Sequence, residues 1–179
     1  MSRRRAILVA IVAIVVFVAD RIAKILVESN MPVGSSIDVA GSWIRISHVT
    51  NTGAAFGLLP ERTTLLSILS VGAVFAIVFY YRRLAADSRL IAATLGMQLG
   101  GAIGNLVDRI GQGYVVDFVD VGVPDGPRFW SFNVADSSIV VGIIAVTVLL
   151  WWQERARAGP AAMSGTASLE PASSARPRE

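Results

Sequence analysis

Four long apolar runs decide what this chain can fold into. Residues 6–27, 63–81, 90–107 and 136–152 are dominated by aliphatic and small side chains, and 63–81 carries no charge across nineteen positions. Runs of this length mark membrane spans rather than the core of a globular domain. The first run, if helical, extends ~33 Å at ~1.5 Å per residue, enough to cross a bilayer. Composition points the same way. The chain is 54% hydrophobic and only 16% charged, where soluble domains carry about 25% charge. The fold expected is an all-α polytopic membrane protein with four transmembrane helices. Between the first and second spans, residues 28–62 hold a β-like run, Trp43 to Val49, within a small amphipathic extracytoplasmic segment. Residues 1–153 read as one membrane-embedded domain. Residues 154–179 are mostly Ala, Pro, Ser and Arg, and read as a disordered cytoplasmic tail.

The basic start and apolar run at the N-terminus are also shared by cleaved signal peptides. Here the run is long, no small-x-small cleavage site follows it, and three more spans come later, so a first membrane helix is the better reading. Orientation follows from the loop arginines. Arg3, Arg4 and Arg5, then Arg82, Arg83 and Arg89, then Arg155 and Arg157 all fall on one side of a four-span arrangement. That side is the cytoplasm, so both termini lie there and segments 28–62 and 108–136 face outward.

Several chemistries are closed to this chain. It has no cysteine, so neither a disulfide nor a thiol nucleophile is available, and a single histidine, His48, makes a zinc site improbable. No metal or cofactor is called for. The positive charge is confined to the ends and one short loop, a pattern of membrane topology and not of nucleic-acid binding.

The polar residues within the apolar sequence gather at one depth. Asp20 and Lys24, the sole lysine, lie one turn apart near the outer end of the first span. Asn105, Asp108 and Arg109 close the third span, Asn133 and Asp136 open the fourth, and Asn51 and Asp117 belong to the outer segments. An ionised Asp in hydrocarbon costs about 2.5–3.5 kcal/mol on insertion scales, so a convergence of such groups marks a shared polar site. Asp117 and Asp136, each set among apolar residues, are the candidate catalytic pair. Each group also has a plainer role. Asp136 with Ser137 and Ser138 can cap a helix, Asp20 and Lys24 can neutralise one another, and Asp108 and Arg109 can form an interfacial pair. The asparagines suit supports that orient acids or substrate backbone. Asp120, two residues past Phe118 in a strand-like run, points opposite to Asp117 and reads as a solvated acid, and His48 reads as a surface or hydrogen-bonding residue. Ala92, Gly96, Gly100, Gly104 and Asp108 recur at every fourth position, a stripe that lets a neighbouring helix approach closely.

Five blocks carry a resemblance: Asp20-Arg21-Ile22-Ala23-Lys24, Asn51-Thr52-Gly53-Ala54-Ala55-Phe56-Gly57, Gly101 to Arg109, Val115-Val116-Asp117-Phe118, and Phe132-Asn133-Val134-Ala135-Asp136. In order and spacing, over about residues 5–153, the chain resembles the bacterial lipoprotein signal peptidases, the type II signal peptidases. One departure is Ala23, where that family usually has Ser or Thr at a supporting position. The resemblance implies an intramembrane aspartyl endopeptidase of the bacterial cytoplasmic membrane, with its active site at the extracytoplasmic face. Such an enzyme removes the signal peptide of a diacylglyceryl-modified prolipoprotein, cutting just before the lipidated cysteine. It implies Asp117 and Asp136 as the catalytic dyad. Asp20, Lys24, Asn51, Gly53, Asn105, Asp108, Arg109 and Asn133 fall at supporting or substrate-binding positions. The partners implied are lipid-modified prolipoproteins and membrane lipids, with no nucleic acid, and the enzyme is expected as a monomer. Segment 28–62 is expected to supply a flap or platform over the site.

Three rival readings give different tests. A Ser–Lys protease would use Lys24 as base. A small proton-coupled transporter would bury acids at mid-membrane. A non-catalytic lipoprotein-binding protein would keep binding when either Asp is changed to Asn.

Overall fold

A computed structural model describes residues 3–53, 62–84 and 88–164, with backbone only from 80 in the second helix and from 157 in the fourth. The elements in order are α1 (Arg3–Asn30), β1 (Ser36–Ala40), β2 (Ile44–Asn51), α2 (Thr63–Leu84), α3 (Arg89–Gln112), β3 (Val115–Val121) and α4 (Val134–Ser164). The chain divides into two units, Met1–Val146 and Thr147–Glu179. The first holds α1 to α3, the sheet and the opening turns of α4. In the second, Arg155 lies over the Trp151 ring at 4.2 Å.

Among the described residues, three helices are long and apolar enough to cross a membrane: Arg3–Asn30, Arg89–Gln112 and Val134–Ala156. The apolar stretch of α2, Thr63–Phe79, is shorter. Ile11, Ile14 and Val15 of α1 and Val140, Val141 and Ile144 of α4 turn bulky apolar side chains outward, as a helix facing lipid does.

The glycine stripe of α3 explains how α1 and α3 pack. A Cβ on Gly96 would fall 2.8 Å from both Val12 Cβ and Val9 O, and one on Gly100 would fall 2.4 Å from Ala13 O. Glycine is therefore required for the backbones to lie this close. Gly101, on the adjoining face, gives the same closeness to Ala135 at the start of α4, with a hypothetical Cβ 2.5 Å from Ala135 O. Ser88 caps the start of α3, accepting from Ile91 N, and Gly113 ends it at φ 82° with its N–H on Arg109 O.

The segments between the helices form one antiparallel sheet in the order β1-β2-β3. The β-like run expected between the first two spans is β2, paired to β1. Its other partner, β3, comes from beyond α3, with Val49 opposite Asp117, Thr50 opposite Val116 and Asn51 opposite Val115. Beneath the sheet, Val27 of α1 and Met31 just after it pack with Val116 and Phe118. This contact fixes β3 against the C-terminal end of α1.

One difference from the sequence reading concerns the end of an element. Helix α4 continues past Glu154 to Ser164, because Glu154, Arg155, Ala156, Arg157 and Ala158 are good helix formers. The disorder expected for 165–179 lies outside the described residues. So do residues 54–61, which include the second half of the Asn51–Gly57 block and much of the expected flap.

Candidate functional site

The site begins with how α4 starts. Asn133 is its N-cap: Asn133 Oδ1 accepts from Asp136 N at 2.8 Å, and Asp136 Oδ2 accepts from Asn133 N at 3.3 Å. This is a reciprocal capping box with Asp136 at the third helical position. Asp136 therefore has a structural part in the cap, as its position allowed, but Asn133 rather than Asp136 is the cap residue. The Ala135 N–H, one turn-position earlier, donates to Asp20 Oδ1 of α1 at 2.9 Å. The first turn of α4 is thus held by a side chain from a helix more than a hundred residues away.

Asn133 also joins the two acids. Its Nδ2 donates to Asp117 Oδ1 at 2.8 Å, while its main chain holds Asp136. The remaining oxygens are met by other asparagines. Asn51 Nδ2 donates to Asp117 Oδ2 at 2.8 Å, and Asn105 Nδ2 donates to Asp136 Oδ1 at 2.7 Å. All four carboxylate oxygens thus accept a bond from an asparagine. Both acids line one cavity of about 340 Å³, with Asn51 and Arg109 at its polar end and Phe129, Trp130, Val140 and Val141 along its apolar walls. Asp117, on the sheet, is 2% exposed. Burial and the neighbouring Asp136 charge push its carboxyl up to about 7; bonds from Asn51 and Asn133 and the Lys24 charge act the other way.

Behind the asparagines lies a buried ionic cluster. Lys24 and Asp20 are fully buried and Asp108 nearly so. Lys24 Nζ lies 2.7 Å from Asp20 Oδ2, 2.6 Å from Asp108 Oδ2 and 3.0 Å from Asn105 Oδ1. Lys24 thus donates a hydrogen bond to Asn105 and is ion-paired with both carboxylates. By donating to the Asn105 carbonyl, Lys24 fixes which face of that amide points at Asp136. Arg21 pairs with Asp108 from the other side. The Asp20–Lys24 pair of the sequence reading is present. The Asp108–Arg109 pair is not: Asp108 turns to α1, and Arg109 donates to Asn105 O and Gly53 O, both at 3.4 Å. Adjacent residues on a helix point about 100° apart, so each finds its own neighbour. Gly53 is buried, and its N–H donates to Asn51 Oδ1 at 2.8 Å. This bond sets the Asn51 amide with its NH₂ toward Asp117.

Every site residue singled out from the sequence therefore belongs to one connected assembly: Asp117 and Asp136 at the cavity, Asn51, Asn105 and Asn133 around them, then Asp20, Lys24 and Asp108, with Arg109 and Gly53 at the rim. One neighbour was read differently. Asp120 is not solvated. It is buried, accepting from Arg128 Nε at 2.8 Å on both oxygens and from Ser47 Oγ at 3.3 Å. His48 takes the hydrogen-bonding role and not the surface one: it is buried, with Nδ1 2.7 Å from Met31 O. Arg21 and Arg128 were missed as site neighbours. The only signal for Arg128 was a lone arginine among the turn formers and aromatics of 122–132. Among the described residues, no group of three or more His, Cys, Asp or Glu is placed to hold a metal ion.

Fold and site together define a helical membrane protein with a carboxylate pair in a cleft beneath a small sheet. Residues 12–152 match the model of the Signal peptidase (SPase) II family, and the chain belongs to that family. It is 39% identical over 150 residues to a lipoprotein signal peptidase of Halothermothrix orenii, an alignment covering 83% of this chain and 98% of that one. Against the lipoprotein signal peptidase of Moorella thermoacetica it is 39% identical over 144 residues, 80% of this chain and 89% of the other. Among solved structures it is similar to a bacterial membrane enzyme determined by the in meso method at 2.3 Å, with TM-score 0.72 and 26% identity over 93% of this chain and 94% of that one. A second such structure, at 1.9 Å, gives TM-score 0.69 and 30% identity over 79% of this chain and 91% of the other.

Proposed function

We propose that Asp117 and Asp136 are the catalytic dyad of an aspartic endopeptidase that removes signal peptides from prolipoproteins. The signal peptidase function comes with the family. The assignment of the two residues rests on one observation above all: two acids from separate elements meet at one cavity, bridged by Asn133. Two carboxylates this close do not both ionise readily, so they share a proton. The ionised member takes a proton from a water held between them, and that water attacks the scissile carbonyl. The protonated member polarises the carbonyl oxygen and then supplies a proton to the leaving amine. The pair titrates as a unit. In this reading Asn51, Asn105 and Asn133 aim the carboxylates, Lys24 with Asp20 and Asp108 holds Asn105 and the start of α4, and Arg109 and Gly53 shape the rim.

The finer topology belongs to the same proposal. Helix α2 serves as a fourth span, residues 1–153 act as one peptidase domain, and the arginine clusters keep both termini in the cytoplasm. The dyad then sits at the outer face, where water reaches it while the substrate's signal helix and lipid remain in the bilayer. The enzyme acts as a monomer among membrane lipids. Two rivals lose ground on specific contacts. Lys24 is fully buried, ion-paired with Asp20 and Asp108 and bonded to Asn105, and it does not line the cavity that holds the acids, a poor placement for the base of Ser–Lys chemistry. The acids gather at the sheet end of the helices rather than at mid-span, where a transporter would hold them. Incubating the purified protein in detergent with a diacylglyceryl-modified prolipoprotein, and with its unmodified form, tests the reading. The expected result is cleavage of the modified form alone, immediately before the lipidated cysteine by product mass. Equal cleavage of both forms, or none of either by folded protein, contradicts it.

A further inference from the structure

We propose that Arg128 is a positioning residue that holds the Phe129–Trp130 wall of the cleft in place for substrate binding; this deepens the peptidase reading above and rests on it. After β3 the chain turns at 122–127 and runs back along the strand. Val119 pairs with Phe132 and Gly122 with Arg128. Between these bridges β3 advances three residues and the returning segment four, so the return carries one extra residue. Such bulges bend a strand and re-aim its side chains. The re-aimed residues, Phe129, Trp130 and Ser131, line the cavity that holds Asp117 and Asp136.

A bulge of this kind, at the mouth of a cleft, needs something to set its geometry. Arg128 does so through its whole guanidinium. Nε donates to both Asp120 oxygens at 2.8 Å, one terminal nitrogen donates to Ser42 O at 2.8 Å, and the other donates to Asp120 O at 3.2 Å. It thereby ties the returning segment to β3 and to the β1–β2 turn. Asp120 is held in turn by Ser47 Oγ, which lies 2.8 Å from Ser36 Oγ on β1. The chain of contacts crosses the whole sheet. A second, independent fit supports the assignment: a Cβ on Gly122 would fall 2.8 Å from Arg128 Cγ and 2.9 Å from its Cα, so Gly122 is what admits the arginine stem. Phe129 and Trp130 are themselves 54% and 58% exposed. Large aromatics kept this open at a cleft suit contact with the apolar part of a substrate beside the cut bond.

The test is steady-state cleavage of a diacylglyceryl-modified prolipoprotein in detergent by the parent, Arg128→Ala, Arg128→Lys, Trp130→Ala and the Arg128→Ala/Trp130→Ala pair. Binding of the uncleaved substrate is measured alongside in an Asp117→Asn background. A wall that acts in binding predicts that Arg128→Ala and Trp130→Ala each raise KM about tenfold with kcat little changed. The double variant should be scarcely worse than either single one, since the arginine acts through the tryptophan. Arg128→Lys, which keeps the charge but loses the fork, should fall between. Affinity in the Asp117→Asn background should drop by the same factors. An unchanged KM in folded Arg128→Ala, or effects that multiply in the double variant, would overturn the assignment. If Arg128→Ala does not fold, Arg128→Lys paired with Trp130→Ala decides on the same criteria. Failure of the dyad reading looks different: Asp117→Asn would retain turnover whatever Arg128 does, and the binding series still decides the role of Arg128.

Discussion

Replacing Gly100 by alanine should injure this protein far more than the same change at Gly72, although both glycines sit inside apolar helices. A Cβ on Gly100 would lie 2.4 Å from Ala13 O, 2.9 Å from Val16 Cβ and 3.0 Å from Ala13 Cα. None of these is the end of a flexible side chain, so relief requires α1 and α3 to separate by roughly 1 Å to restore ordinary contact near 3.5 Å. Overpacking of this kind costs about 1–3 kcal/mol, offset by up to about 1 kcal/mol of helix propensity gained on replacing glycine. The expected net loss is about 1–2 kcal/mol. At Gly72 nothing lies within 4 Å of the added atom, so only the propensity gain remains. Function should fall more steeply than stability. Asn105 and Asp108 lie on α3 just beyond Gly100 and meet Lys24 of α1, and a misplacement of about 1 Å at a reacting site can lower rate about a hundredfold. Thermal unfolding in detergent and kcat/KM on a lipidated prolipoprotein would be measured for both variants. The close-packing argument is refuted if Gly100→Ala matches Gly72→Ala in both.

Three further outcomes are expected. Asp117 binds its proton up to about pH 7 in the folded protein against 3.8 ordinarily. Between those values the folded state holds a proton that the unfolded state has released, so stability falls as pH rises, by up to about 4 kcal/mol at ~1.4 kcal/mol per unit. Melting temperature from pH 4 to 8 should fall less steeply in Asp117→Asn than in the parent, and parallel slopes would argue against the raised value. Asn51→Ala removes a bond that favours ionised Asp117, so the alkaline limb of the pH–rate profile should move upward; a downward shift contradicts the arrangement. Lys24→Met leaves Asp20 and Asp108 buried without their shared cation. It should destabilise by about 3–5 kcal/mol, and urea or heat denaturation would detect a loss that small surface effects cannot produce.

What could be read from the sequence depended on whether the cause was local. Asp117 and Asp136 stood out because an acid flanked by Val, Phe and Ala must be either paired or functional. The α3 stripe was visible because a four-residue repeat of small side chains places them on one helix face. The capping role at α4 was also local, yet the cap fell to Asn133, since the helix begins at Val134 and not at the first long apolar run. Partners across the fold could not be inferred in this way. Asp108 was assigned to its neighbour Arg109, but helix packing through Gly100 and Gly104 carries it to Lys24 and Arg21. Asp120 was read as solvated from strand alternation alone, whereas its partner, Arg128, arrives from a return segment whose bulge no period reveals. The third strand was legible, but its pairing with β2 was not, because that depends on where α1 ends and the sheet rests.

The central claim, that Asp117 and Asp136 together carry the chemistry, is met most directly by cleavage of a diacylglyceryl-modified prolipoprotein with the parent, Asp117→Asn and Asp136→Asn side by side, folding of each verified. The account predicts a product band from the parent and none from either folded variant, with substrate binding kept in both. Turnover that survives in either folded variant would place the reaction on other residues.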